Sequence, residues 1–318
     1  MELVVLRELV RRRDYVGGSE LAETLGVSKP TVHRVIEELR RKGYIIESHP
    51  RRGYRLVLEE DLSRAQEVLS RLPGPLKYVV HYVRECTSTQ DVGEALARSG
   101  APEGTVVVAE KQLAGRGRMG RKWESGKGGL WMTIVLRPRM IIGLQLLSLA
   151  AGVAVTRAVN ELYGLNAGIK WPNDVLVSNR KLAGILVEGT LEADEIKYVL
   201  VGIGINVNNE LPENLRETAV ALKQLFGHPL PRTPLLRSML AEFSKEYNKL
   251  LKGETRTLLK DWRSLSITLG KRVEVKTPWG ITRGIARDID EDGALIIVSD
   301  NGKKVRVHAG DCSLTSPP

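Results

Sequence analysis

Arg116, Arg118, Arg121, Lys122 and Lys127 fall within twelve residues, interleaved with Gly115, Gly117, Gly120 and Gly126. The segment Gly115-Arg116-Gly117-Arg118-Met119-Gly120 fits the pattern G-x-G-x-x-G. A dinucleotide fingerprint opens a helix and holds phosphate with backbone amides at the helix terminus. Here Arg121-Lys122-Trp123 and Gly126–Gly129 lead into Leu130–Leu136, a run with the composition of a buried strand. The cations therefore sit on a glycine-hinged loop, a design suited to wrapping an anion after it binds. A surface loop with merely solvated arginines is the competing reading, and five clustered cations weigh against it.

A second group is Lys170-Trp171-Pro172-Asn173-Asp174, followed by Lys181-Leu182-Ala183-Gly184-Ile185. Lys181 opens an apolar strand, so its ammonium is drawn toward a cleft, where it can neutralise a carboxylate or phosphate as charge develops. Ordinary strand-edge cations are the alternative for Lys170 and Lys181. The small residues Ala183 and Gly184 admit close backbone approach. A third element is Gly202-Ile203-Gly204-Ile205-Asn206-Val207, whose two glycines inside a strand are expected to leave room for a ligand, with Asn206 placed to bond a base edge.

These segments need a scaffold, and the chain of 318 residues is long enough for two or three domains. Hydrophobic residues make up 42% and charged residues 27%, which excludes a disordered or collagen-like chain. A formal net charge of +10 points to anionic partners such as nucleic acid or nucleotides. Two cysteines, Cys86 and Cys312, build neither a disulfide framework nor a convincing zinc site, so no bound protein metal is expected. The longest apolar stretch, Met140 to Val155, is broken by polar residues and is too short to span a bilayer. Glu2 and Glu8 interrupt the opening stretch, which is no signal peptide. No membrane association and a cytoplasmic setting are expected.

Residues 1–60 read as three short helices and a basic hairpin. Ser28 caps the third helix, Pro30 stands in its first turn, and Val32, Val35, Ile36 and Leu39 face inward. Strands Tyr44–Glu47 and Tyr54–Leu58 follow. The order resembles the winged helix-turn-helix of transcriptional regulators. From Ser28 to Arg55 there are eight Lys or Arg against three Glu, a local charge of +5. Lys29, Thr31, His33 and Arg34 stand where a recognition helix meets base edges. Arg51 and Arg52 at the hairpin tip are placed for phosphate or the minor groove. A basic surface on a dimerisation module is the alternative. Residues 61–268 mix strands and helices without regular βαβ alternation, which predicts one main sheet in an α+β domain. A helix is expected from Asp61 to Arg71 and further helices over 143–163, 234–252 and 254–264. Residues 269–318 read as four or five short strands, a small barrel of the SH3 type, with Asn301-Gly302 as a hairpin turn.

Taken together, G-R-G-R-x-G-R-x-W, K-W-P-N-D and K-L-A-G-I-L-V-E resemble the biotin–protein ligase family. The domain order is similar to its bifunctional bacterial members. The resemblance implies that biotin and Mg-ATP, as substrates, give biotinyl-5′-AMP and pyrophosphate, and that the acyl group then passes to a lysine of a biotin carboxyl carrier protein or domain. It further implies repression at operator DNA by a homodimer that biotinyl-AMP favours. By motif, Ser88, Thr89 and Gln90 bind the biotin ring. Gln112, Arg116, Gly117 and Arg118 line the biotin and acyl-phosphate site. Arg118 and Arg121 clamp phosphates, Trp123 packs over adenosine, and Lys181 stands between the biotin carboxylate and the α-phosphate. Asn173 and Asn206 contact nucleotide with Lys170 nearby, and Asp174 is a candidate for metal or supporting work. The family commonly has Asn in place of Gln90, and some bifunctional members carry an arginine where Thr315 follows Leu314. Lipoate ligase shares the chemistry, and a non-catalytic biotin-sensing repressor shares the domain order. The arginine loop and Lys181 favour the biotin ligase over both.

Overall fold

The computed structural model describes residues 1–58, 61–70, 72–138, 143–192 and 195–315. Arg71 and Met140, at the ends of two predicted segments, lie outside them. Helices α1 (Glu2–Arg12), α2 (Gly18–Leu25) and α3 (Lys29–Arg41) precede a hairpin of β1 (Ile46–His49) and β2 (Gly53–Leu56). Gly26 ends α2 at a left-handed φ of 63°, and the Ser28 hydroxyl accepts the Thr31 amide, so the tight turn sets α3 across α2. Val32, Val35, Ile36 and Leu39 of α3 are buried against Val5, Leu9 and Leu21. The hairpin is shifted from its expected bounds. Tyr54 pairs with Ser48 on one side and with Val16 on the other, while the Tyr44 N–H turns back to the Leu39 carbonyl at the end of α3 at 3.1 Å, so β1 begins only at Ile46.

The chain continues through a 3₁₀ turn (Asp61–Arg64) and α4 (Ala65–Leu69), then β3 (Val79–Cys86), α5 (Thr89–Arg98), β4 (Thr105–Gln112), β5 (Leu130–Leu136) and α6 (Leu144–Tyr163). Next come β6 (Gly168–Lys170), β7 (Asp174–Val177), β8 (Arg180–Glu192), β9 (Glu195–Ile205), α7 (Leu222–Phe226), α8 (Thr233–Leu251) and α9 (Thr255–Leu265). One seven-stranded sheet runs β3-β4-β5-β9-β8-β7-β6. Only β3 and β4 are parallel among these pairs, because α5 supplies the crossover that parallel neighbours require. β5 is buried along its whole length, with α5 packed on one face of the sheet and α6 on the other, α6 being covered in turn by α8 and α9. That double cover explains the unbroken apolar run LWMTIVL. The core stretch within α6 buries twelve residues, so its hydrophobicity belongs to the domain core. Among the described residues no helix is long and apolar enough to cross a membrane.

Five short strands close the described chain: β10 (Arg272–Thr277), β11 (Gly280–Ile289), β12 (Leu295–Val298), β13 (Lys304–Val307) and β14 (Asp311–Thr315). They form an antiparallel sheet in the order β13-β12-β11-β10-β14, in keeping with the SH3-like expectation. This sheet is joined to the central domain by the Trp171 indole, which donates to the Gly293 carbonyl at 3.0 Å.

Candidate active site

The glycine–arginine loop is a closed hairpin on the edge of the cleft. Gly117 N–H donates to the Arg121 carbonyl at 2.7 Å and Trp123 N–H to Gly115 O at 2.8 Å. A Cβ at Gly115 would lie 2.4 Å from Ser125 Oγ, so only glycine fits there. Met119 at the tip has a left-handed φ of 57° and an exposed side chain. The loop leads into a strand, as its context predicted.

Four of the loop cations have internal partners. Arg116 is paired with Asp91 at 2.8 Å and Glu188 at 3.2 Å. Arg118 Nη1 donates to Asn173 Oδ1 at 2.9 Å, and burial lowers its pKa against the attraction of Asp174. Arg121 forms a two-point contact with Asp311 of β14, at 2.8 and 3.0 Å, and its Nε donates to the Arg118 carbonyl at 3.3 Å. Lys122 pairs with Glu124 at 2.8 Å.

Lys181 enters the cleft from the start of β8. Its backbone is fixed on both sides, with N–H donating to Thr218 O at 2.8 Å and carbonyl accepting Val220 N–H at 3.0 Å. Its ammonium lies 2.7 Å from Asp174 and 4.9 Å from the Trp123 ring centroid. Lys170 reaches the other oxygen of Asp174 at 3.7 Å. Asp174 thus holds both lysines. Cys312 of β14 is within the electrostatic reach of Lys170 and Asp174, and burial pushes its thiol up to about 11.

The glycines of β8 and β9 behave differently from the expectation of open space. Gly184 and Gly204 are neighbours across the sheet. A Cβ on Gly184 would stand 2.9 Å, and one on Gly204 2.5 Å, from the Trp123 indole. The room is filled by Trp123, which also packs edge-on against Trp131. The Trp123 indole N–H is buried without a partner among the described residues. Gly202 in turn accommodates Gln90, whose side chain would be 3.1 Å from an added Cβ.

Ser88 caps α5 through the Gln90 amide. Gln112 Oε1 accepts Thr89 N–H at 2.7 Å and Thr89 Oγ1 at 3.0 Å, while its amide donates to Ser125 at 2.8 Å. Gln90 donates to Glu188 at 2.9 Å and accepts the Thr133 hydroxyl at 2.9 Å. Ser88, Thr89 and Gln90 are all buried. Asn206 is buried too, and its side-chain carbonyl accepts the Asn209 amide at 3.1 Å. Asn173 donates to Ile185 O at 2.8 Å while accepting Arg118. Leu113, Gly117, Arg118, Leu186 and Glu188 share one cleft. Glu188 closes the K-L-A-G-I-L-V-E segment with no role read for it from the sequence, and Asp311 and Ser125 lie outside the quoted motifs. Glu188 was recoverable, because the period of two that turns Gly184 to the cleft turns Leu186 and Glu188 the same way.

In the N-terminal module Lys29, His33 and Arg34 are exposed along α3, and Thr31 shares the cap with Ser28. His33 Nδ1 lies 3.4 Å from the Tyr54 hydroxyl. Arg51 is exposed at the hairpin tip. Arg52 folds back onto the Tyr15 ring at 4.3 Å and pairs with Asp14 at 2.8 Å.

Among the described residues no three His, Cys, Asp or Glu side chains gather in a way that could hold a metal ion. The arrangement is one of converging cations beside an aromatic shelf, which suits an anionic ligand with a planar ring.

Comparison with known proteins agrees with that chemistry. Residues 82–206 match the Biotin/lipoate A/B protein ligase family, residues 268–315 the Biotin protein ligase C terminal domain, and residues 2–55 an HTH domain. The bifunctional ligase/repressor BirA of Bacillus subtilis (strain 168) is 36% identical over 311 residues, covering 95% of this chain and 94% of that protein. The Escherichia coli (strain K12) protein of the same name is 29% identical, covering 92% of this chain and 91% of its own length. The biotin protein ligase from Aquifex aeolicus, solved in complex with biotin and ATP, superposes with a TM-score of 0.66 at 32% identity, covering 75% of this chain and 99% of that one. With a helix-turn-helix module, a ligase domain and a ligase C-terminal domain matched in this order along one chain, the protein belongs to the bifunctional biotin ligase/repressor family.

Proposed function

We infer that this chain is an ATP-dependent biotin–protein ligase that also acts as a repressor through its N-terminal module. The observation that carries the ligase reading is the convergence of Lys181 and Arg118 beside Trp123 on the glycine shelf. Attack of the biotin carboxylate on the α-phosphorus brings two anions together, and pyrophosphate leaves. Lys181 and Arg118 offset that repulsion and stabilise the charge in transit. Arg116 and Arg121 exchange their carboxylate partners for ligand anions, and Trp123 packs against the adenosine. Magnesium arrives with ATP as a component of the substrate. Ser88, Thr89, Gln90 and Gln112 form the end of the cleft that takes the biotin ring, with Lys170, Asn173 and Asn206 on the nucleotide side. Gln90 and Asn206 are buried and already hydrogen-bonded, so they act by shaping the walls.

In the second step a lysine amine of a carrier domain attacks the acyl carbon and AMP leaves. The domains divide at residues 1–60, 61–268 and 269–318. Incubation with ATP and either biotin or lipoate, followed by pyrophosphate measurement and then transfer to a carrier domain, tests the reading. Pyrophosphate release indifferent to biotin overturns it, and carrier biotinylation excludes a non-catalytic repressor.

Closure of the loop protects the mixed anhydride from water. The Gly115–Lys127 loop is expected to be mobile when empty and ordered over biotinyl-AMP, whose anionic groups replace its carboxylate partners, so trypsin cleavage after its arginines and lysines is expected to slow when biotinyl-AMP is bound. Equal cleavage with and without ligand contradicts gating.

DNA binding is proposed through α3 and the hairpin tip, by a dimer that reads two half-sites. Arg51 is free to meet phosphate, whereas Arg52 must first leave Asp14. Arg51→Ala is expected to weaken binding on all sequences and to reduce the slope of log K against log salt by about one. An unchanged slope removes Arg51 from the phosphate contacts.

A further inference from the structure

Outside the cleft, three charged side chains are buried together. Arg232 is 2% exposed, Asp61 0% and Glu110 4%. The Arg232 guanidinium makes a two-point contact with Glu110 at 2.8 Å on both oxygens, and also donates to the Gly129 carbonyl at 3.1 Å. Its Nε donates to Asp61 Oδ1 at 2.8 Å. Asp61 Oδ2 accepts the Arg232 and Thr233 amides at 2.5 and 2.9 Å, and so caps α8 from 171 residues away. Desolvating three charges is costly, and here the cost is offset by the hydrogen bonds that join the three groups to one another and to the backbone.

Its position suggests what it serves. Glu110 lies near the end of β4 and Gly129 immediately before β5, so Arg232 grips both stems of the arginine loop. On the other side lies the DNA-binding module. Asp61 is the first described residue after that module, and Arg64, one turn on, reaches Glu47 of β1 at 3.6 Å. Gly43, just past α3, rests on the same end of α8. A Cβ there would stand 3.1 Å from Arg237 Cδ and from Val68 Cγ1, and 3.2 Å from Pro234 Cα. Gly43 also has a φ of 97°, which a side chain would strain. The recognition helix therefore ends against the residues that follow Arg232.

We propose that Arg232 is a positioning residue that ties the stems of the ligand loop to the seat of the DNA-binding module, and that the Asp61–Arg232–Glu110 cluster carries the coupling between biotinyl-AMP and DNA. The inference rests on the ligase/repressor reading above. When the loop closes on ligand, its stems fix Glu110 and the Gly129 carbonyl. Arg232 is thereby held against Asp61, and the linker turn and the end of α3 are fixed with it. By linkage, DNA must then raise affinity for biotinyl-AMP by the same factor that biotinyl-AMP raises affinity for DNA.

Asp61→Asn is the informative variant in the full chain. Asparagine keeps a capping oxygen and the side-chain volume but loses the charge that pairs with Arg232. The probe is a duplex selected from random sequence by the native protein loaded with biotinyl-AMP. DNA affinity is measured with and without biotinyl-AMP, and biotinyl-AMP affinity with and without the duplex. In the variant both ratios are expected to fall together, by about 3- to 10-fold, while the rate of adenylate formation stays near native. A merely structural role would lower the melting temperature and leave the ratios unchanged. Native ratios in Asp61→Asn overturn the proposal and spare the ligase/repressor reading. If the native protein enriches no duplex, or binds DNA indifferently to ligand, the repressor reading fails and the coupling fails with it, while ligase activity stands.

Discussion

Replacing Lys181 by alanine is expected to slow biotinyl-AMP formation about 100-fold, equivalent to roughly 3 kcal/mol, the loss typical of one donor aimed at developing charge. The ammonium is placed for this by its surroundings. Its backbone is fixed by Thr218 and Val220, and Asp174 holds its Nζ at 2.7 Å. The side chain is one third exposed, so the charge faces the cleft and is not sealed in the core. Transfer of biotin from supplied biotinyl-AMP to a carrier domain is expected to suffer far less, because the α-phosphate has then already been attacked. Asp174 adds a second consequence. Without Lys181 its carboxylate faces the incoming phosphates offset by Lys170 at 3.7 Å and by the attraction of Arg118. Asp174→Asn introduced into the Lys181→Ala protein should therefore recover some of the lost rate, whereas the same change in the native protein should lower it. That sign reversal is a coupling that a double-mutant cycle measures. Adenylate formation at the native rate in Lys181→Ala, measured by pyrophosphate release, contradicts the role.

The scaffold was legible where local pattern and tertiary demand coincide. The Ser28 cap, the Gly26 turn and the inward stripe of α3 are short-range features, and the helix lies where they put it. β5 and α6 were legible because elements covered on both sides must be apolar throughout. The wing was less so, since Tyr44 is turned back to Leu39 and Tyr54 also bridges to Val16, contacts that no strand pattern reveals. In the cleft, the cations announced themselves through their clustering with glycine, but their partners did not. Asp311 is 190 residues from Arg121 and meets it only because the last strand borders the central domain. Gly184 and Gly204 signalled close approach correctly, yet the group that approaches is the chain's own Trp123. A glycine in a strand states that space is needed, not what fills it. The Asp61–Arg232–Glu110 cluster was invisible for the same reason: each charge reads as a surface residue until the fold brings the three together.

Arg118→Gly is expected to release biotinyl-AMP about 10- to 100-fold faster than the native protein, the range for losing a charge-assisted hydrogen bond in a partly buried site. Arg118 is the loop cation bonded to an amide oxygen and not to a carboxylate, with Asn173 at 2.9 Å. Its full positive charge therefore stays available, and burial raises the cost of keeping it without an anion. A ligand phosphate removes that cost, so much of the binding energy at this position is realised only when the adenylate is present. Glycine loses the guanidinium and also joins Gly117 in a more flexible turn, which loosens the hairpin that Arg121 braces through the Arg118 carbonyl. Arg118→Lys separates the two effects, because it keeps a charge and a side chain but cannot present a planar fork. The lysine variant should lie between glycine and native. Dissociation is followed by chasing labelled biotinyl-AMP with an excess of unlabelled intermediate. If both variants release it at the native rate, retention belongs to the hairpin as a whole and to Arg116 and Arg121, and Arg118 has no special role in it. If glycine and lysine are equally fast, the fork geometry is what matters, since charge and backbone stiffness differ between them.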